Sequence, residues 1–229
     1  MGSSRVGRIL GVMAGLCVAA GLYLGLVVAP PDATQGEVQR IMYLHVPSIL
    51  TAYVAFTATF VASVLYLWRR DPRADAVAVS SAEVGVVFTG ITLATGSIWG
   101  KPTWGVWWTW DPRLTLTAIL FTIYVGYLML RAFAEDPRAA ARYGAVLAII
   151  GFLDIPLNHM AVQWWRTLHQ PSSILRPGGP SVATVLLIPL GINFAGLVLL
   201  YVYFLLERIR LERIRHRTAD LRLKRGRRG

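Results

Sequence analysis

An all-α, polytopic membrane bundle of six helices is the fold this sequence predicts, and three observations carry the prediction. Of 229 residues, 55% are hydrophobic and 15% charged, too apolar for a protein with a wetted surface all round. The apolar residues gather in six runs near or above the roughly 17 to 25 residues that a helix needs to cross about 30 Å of hydrocarbon. The loops between those runs differ sharply in charge from one side to the other.

The first run, Ile9–Ala29, follows Arg5 and Arg8. Its apolar core is too long for a secretory signal and Pro30-Pro31 occupy the place of a cleavage bond, so it reads as an uncleaved anchor. Cys17, the single cysteine, lies inside it, which excludes a disulfide framework and a Cys-x-x-Cys haem-attachment motif. The second run is Val46–Trp68 and the third is Ala76–Ile98, interrupted by Glu83. The fourth is Leu114–Leu130, the fifth Tyr143–Met160 with Asp154 and Asn158 inside it, and the sixth Ser181–Leu206. Residues 1–206 thus read as one membrane domain and 207–229 as a basic tail. The tail interleaves Leu, Ile and Arg, a pattern that suits either a continuation of the last helix onto anionic headgroups or a solvated topogenic end.

A net charge of +11 could suggest nucleic acid, but the arrangement of the charge points to a membrane instead. Eighteen Lys and Arg fall in the N-terminus, the loops 69–73 and 131–142 and the tail; the other three loops carry only Arg40, Lys101, Arg113, Arg166 and Arg176. The positive-inside rule then puts both termini in the cytoplasm. The expected location is a bacterial inner membrane, with the loops after the first, third and fifth runs facing the periplasm.

Those three outward loops hold the unusual residues. Seven of the eight tryptophans lie there, Trp99, Trp104, Trp107, Trp108, Trp110, Trp164 and Trp165, and only Trp68 lies on the other side. An anchoring belt of indoles would populate both interfaces. Trp104, Trp107, Trp108 and Asp111 also fall at i, i+3, i+4 and i+7, so a short interfacial helix bounded by Pro102 and Pro112 would put three indoles and a carboxylate on one face. Such a face suits a flat, apolar, aromatic ligand.

Four histidines are present. His216 belongs to the tail, and His159, beside Asn158, suits a capping or packing role with ligation in reserve. His45 and His169 stand at the outer mouths of the second and sixth runs, bracketing the tryptophans. Two neutral imidazoles with apolar surface between them match the requirements of an iron porphyrin, whereas zinc or copper would call for further ligands that do not stand nearby in sequence. Lys101, Arg113, Arg166 and Arg40 are the outward cations available to carboxylates on such a ring, although Asp111 and Arg113 could instead pair to brace their loop.

The run Trp-Gly-x-Trp-Trp-x-Trp-Asp at Trp104–Asp111 resembles the signature of the WWD superfamily of haem-handling proteins in cytochrome c biogenesis. Its flanks, Trp99-Gly100-Lys101-Pro102-Thr103 and Pro112-Arg113-Leu114-Thr115, with Trp164-Trp165-x-Thr167-Leu168-His169-Gln170, resemble the haem exporter protein C (CcmC) family over nearly the whole chain. The resemblance implies that His45 and His169 are axial ligands of haem b, and that Trp104, Gly105, Trp107, Trp108, Trp110 and Asp111 form the motif against the ring. It further implies presentation of haem to the periplasmic chaperone CcmE, whose own histidine becomes joined to a haem vinyl group. The ABC transporter pair CcmA and CcmB and the small protein CcmD would be partners, and any ATP hydrolysis would be theirs. No nucleophile and base pair or Walker motif is visible, so the expectation is a haem-binding subunit and not an enzyme. The alternatives are a cytochrome b-type electron-transfer subunit, which would place paired histidines inside the spans; a haem lyase of the same superfamily, which would carry extra spans or a large outer domain; and a plain scaffold.

Overall fold

The computed structural model describes residues 5–171, 173–174 and 176–226, leaving aside the side chains of residues 212, 213 and 215–226. Among these residues there is no sheet. Six helical segments are long and apolar enough to cross a membrane: Arg5–Val28, Glu37–Arg69, Pro72–Trp104, Pro112–Phe133, Pro137–Trp164 and Thr184–Leu211. Each contains the core of one run read from the sequence.

The helices are α1 (Arg5–Tyr23), which widens into a π turn over Leu24–Val28, α2 (Met42–Arg69), α3 (Pro72–Trp104), α4 (Pro112–Phe133), α5 (Pro137–Phe152), α6 (Asp154–Trp164) and α7 (Thr184–Gly226). A 3-10 turn, Glu37–Ile41, leads into α2. Three helices open with the same device. Asp71, Asp111 and Asp136 cap α3, α4 and α5 by accepting the amide N–H two residues on, and a proline follows each at the first helical position, where its missing N–H costs nothing. The fifth span breaks at Leu153 into α5 and α6 because Pro156 has no N–H to give the carbonyl of Phe152. The last helix runs without interruption from the apolar span into the basic tail as far as Gly226; the expectation for His216 lies outside the described side chains.

In hydrocarbon, helices associate through close contact and satisfied polar groups and not through expulsion of water. Accordingly α2 sits at the centre against α3, α5 and α7, with α1 lying along α7. The Phe56 ring stacks on Tyr124 at 3.8 Å between centroids, among Ala52, Ala55, Ala82 and Ala148. Buried threonines return their hydroxyl protons to the preceding turn, as Thr59 does to Ala55, Thr89 to Gly85 and Thr92 to Phe88, so these three O–H groups are satisfied within their own helices. Glu83 is neutralised by Arg208 of α7. Asp154, only 6% exposed, has one carboxylate oxygen with no partner among the described residues.

Candidate functional site

With six spans alternating in direction, the segments 30–41, 105–111 and 165–171 meet at one end of the bundle, and α2, α3, α4 and α6 open there around a cavity of about 280 Å³. Three helical stripes form its wall. Met42, His45, Val46, Ile49 and Tyr53 follow one another at helical spacing on α2, as do Thr92, Gly96, Trp99, Gly100 and Thr103 on α3. Arg113, Leu114 and Thr117 contribute from the start of α4, and Asn158 and His159 from α6. His169 and Trp108 close the wall from the loops. His45 and His169, 124 positions apart in SEQ numbering, therefore line one cavity.

Each imidazole is held by its Nδ1. The hydroxyl of Thr95 spends its proton on the carbonyl of Ile91 at 2.7 Å, so at 3.1 Å from His45 Nδ1 it accepts the ring N–H. His169 Nδ1 lies 3.0 Å from the carbonyl of Gln170, an acceptor only, so it also carries the proton. In both rings Nε2 keeps its lone pair, the tautomer that ligation through Nε2 requires. Burial and the nearby positive charge of Arg113 lower the pKa of His169 from 6.5 to about 4, so this ring is neutral at physiological pH. Gly96 makes room for the other ring: a Cβ there would stand 2.9 Å from His45 Cε1.

The indoles divide into two sets. Trp99, Trp104 and Trp108 line the cavity. Trp99 meets His45 edge-on at 5.6 Å between centroids and Trp104 meets His169 at 6.2 Å, while Trp99 Nε1–H donates to Gln35 of the first loop at 2.9 Å. Trp107 and Trp110 do not line it and are 57% and 78% exposed. The short helix expected over Trp104–Asp111 is absent. Instead α3 continues through Pro102 to Trp104 and stops at Gly105, whose φ of 80° ends the helix and would strain any other residue. The chain then runs irregularly to the Asp111 cap of α4. Ser97 ties this stretch back to α3 by donating to the carbonyl of Trp107 at 2.7 Å.

Asp111 is not in the cavity wall, and its expected pairing with the Arg113 side chain is replaced by a different brace. Its carboxylate takes the Arg113 amide at 3.1 Å, the Thr167 hydroxyl at 2.7 Å and the Leu168 amide at 2.7 Å. The side chain thus clamps the segment bearing His169 to the start of α4. Of the outward cations, only Arg113 reaches the cavity. Lys101 is spent on the carbonyl of Gly105 and Arg40 on Glu37 and the carbonyl of Gly25, and Arg166 is exposed outside it. Asn158 supports this corner by donating to the Arg113 carbonyl and to Thr117 Oγ1 and by accepting from Tyr53. No group of three or more His, Cys, Asp or Glu suited to a bare metal ion occurs among the described residues, whereas two imidazoles with free Nε2 atoms, three indoles and one arginine fit an iron porphyrin with an acidic edge.

The model of the family "Heme exporter protein C" matches residues 2–224. Among curated proteins, "Heme exporter protein C" of Bradyrhizobium diazoefficiens is 40% identical over 208 residues, covering 91% of this chain and 79% of its own. The protein of the same name from Haemophilus influenzae is 38% identical, covering 85% and 79%, and that from Escherichia coli K12 is 36% identical over 223 residues, covering 95% and 90%.

Proposed function

Because the chain belongs to the haem exporter protein C family and so to the haem export system of cytochrome c biogenesis, we propose that it holds haem b at the periplasmic face of the inner membrane and presents it to the chaperone CcmE. His45 and His169 are the axial ligands in this reading, and Trp99, Trp104 and Trp108 supply the apolar surface for the ring. Arg113 receives a propionate. The observation that carries the proposal is the pair of Nδ1-tethered imidazoles in one cavity, one on a helix and one on a loop.

That asymmetry suits a group that must be given up. His45 rides on the rigid first turn of α2, whereas His169 sits on a segment held by the Asp111 clamp. Releasing the clamp withdraws one ligand without disturbing the bundle. CcmA, CcmB and CcmD are the proposed partners, with ATP hydrolysis assigned to the transporter pair and no catalysis to this chain. The cytoplasmic placement of both termini follows from the eighteen cations on one side of the spans. A cytochrome b-type role is less well supported, since His169 lies outside every span.

The test is the absorption spectrum of the purified full-length protein. Wild type should hold low-spin haem, and His45→Ala and His169→Ala should each lose that ligation. Unchanged occupancy and spectrum in both variants would remove the site.

A further inference from the structure

A second and larger cavity, about 860 Å³, lies at the opposite end of the bundle, between the loop joining α2 to α3 and the loop joining α4 to α5. Four arginines line it: Arg70, Arg131, Arg138 and Arg142. Two carboxylates share the wall, and both are already committed. Asp75 is bound by both terminal nitrogens of Arg131 at 2.6 Å, and Asp136 caps α5 by accepting the Arg138 amide at 2.8 Å. The amide cap leaves the Asp136 charge in place, so four guanidinium groups against two carboxylates leave the wall net positive; Arg70, Arg138 and Arg142 are exposed, with Arg70 over the Tyr66 ring and Arg142 over the Tyr143 ring.

Two further features distinguish this from a scatter of topogenic charges, which would need no cavity. The first turns of α3 and α5, through Pro72 and Pro137, both open onto it, each already holding a carboxylate cap, so the two helix ends bring backbone of both loops to the same space while the arginines supply the charge. The remaining wall is apolar, with Tyr66, Val79 and Ala141 continuing from the arginine rim toward the hydrocarbon. A cationic rim above an apolar wall, at the end of the spans where the basic loops lie, suits a phosphate that carries acyl chains.

We propose that this cavity binds the phosphate of an anionic phospholipid headgroup in the cytoplasmic leaflet, with Arg138 and Arg142 as its principal contacts and the Asp75–Arg131 pair as its fixed floor. A lipid held there ties the α2–α3 and α4–α5 loops together. The site is remote from the imidazoles, so its occupancy and haem ligation are separable.

The experiment is native mass spectrometry of the full-length protein released from nanodiscs of phosphatidylcholine containing phosphatidylglycerol or cardiolipin. Wild type should retain one anionic lipid in preference to phosphatidylcholine. Retention should fall at least tenfold in the double variant Arg138→Gln, Arg142→Gln while the haem spectrum stays unchanged. It should persist in the tail variant Arg222→Gln, Lys224→Gln, Arg225→Gln, which reports lipid gathered by the basic tail alone. Equal retention of phosphatidylcholine overturns the proposal, as does loss that follows the tail variant and spares the cavity variant. Competition by millimolar inorganic phosphate in detergent, with no preference among lipids, would assign the cavity to a soluble phosphate and overturn the lipid. Unchanged retention accompanied by lost assembly with transporter subunits would assign it to an acidic protein segment, and equally overturns it.

Discussion

The Asp111 carboxylate accepts the backbone N–H of Leu168 at 2.7 Å, across 57 positions of sequence. Through that bond, and the one from Thr167 at 2.7 Å, the acidic residue that ends the tryptophan motif fixes the histidine that follows it in space. Hydrogen bonds to a charged group are worth about 1.5–3 kcal/mol each, and the cap on α4 adds about 1 kcal/mol. Asp111→Ala should therefore free the segment 167–169 first. The expected outcome is faster amide exchange confined to 165–171 and loss of the His169-side ligation. Exchange spread through α4 with the spectrum intact would show a helix cap and nothing more.

A titration separates burial from ligation. In the haem-free protein His169 should remain neutral well below pH 6.5 and protonate only as the pH falls toward about 4. Between those two values the unfolded chain binds a proton that the folded chain does not. Stability from this residue is therefore complete above pH 6.5 and is lost as the pH drops to 4. Nitrogen-15 chemical shifts of the imidazole measure this directly, and a midpoint near 6.5 would mean that the ring is solvated.

His45 is held by Thr95, Gly96 and Trp99 of α3, which makes two substitutions informative. Thr95→Val removes the acceptor of the Nδ1–H and should weaken haem retention about 10- to 100-fold, the usual cost of losing a partner behind a ligating imidazole. Gly96→Ala places a methyl group 2.9 Å from Cε1, so the ring must turn and the His45-side ligation should be lost in a protein that still folds. Gly90→Ala is the control, because its nearest neighbour would be 3.6 Å away, on Phe121. Equal haem retention by the Gly96 and Gly90 variants would place the iron elsewhere.

The spans were legible because a bilayer demands long apolar runs and leaves few alternatives. His45 and His169 were readable as the histidines at the outer mouths of the second and sixth runs, bracketing the tryptophans, and both line the cavity. The local shape of the motif was not. Spacing from Trp104 to Asp111 suggested a helix, yet Gly105 ends one helix and Asp111-Pro112 begins another, and those three residues hold the stronger signal. Trp99 counts in the sequence as one of seven outward indoles, without the ring-facing role that the cavity gives it. Its register with Thr92, Gly96 and Thr103 on one face of α3 is visible in the sequence once the helix is carried through Pro102. The Asp111 clamp is different in kind, because bonds across 56 and 57 positions leave no periodic trace.

The division among the indoles makes the last prediction. Trp104 and Trp108 line the cavity, and Trp107 and Trp110 stand outside it with most of their surface free. Burying one aromatic side chain against a ligand is worth about 1.5–3 kcal/mol, so Trp104→Ala or Trp108→Ala should lower haem affinity roughly 10- to 100-fold in the isolated protein. Trp107→Ala and Trp110→Ala should leave that affinity within about twofold. The outer pair has a different use in the proposed hand-off. Exposed indoles beside an open site are the kind of residue that dominates a protein interface, so the same two variants should still lower loading of a co-expressed CcmE. Haem titration and chaperone loading, measured on the same four variants, separate the sets. If all four lose haem together, the outer indoles fold over the ring when it binds, and the motif acts as one surface; if none does, the imidazoles and Arg113 alone set the affinity and the indoles serve only the partner.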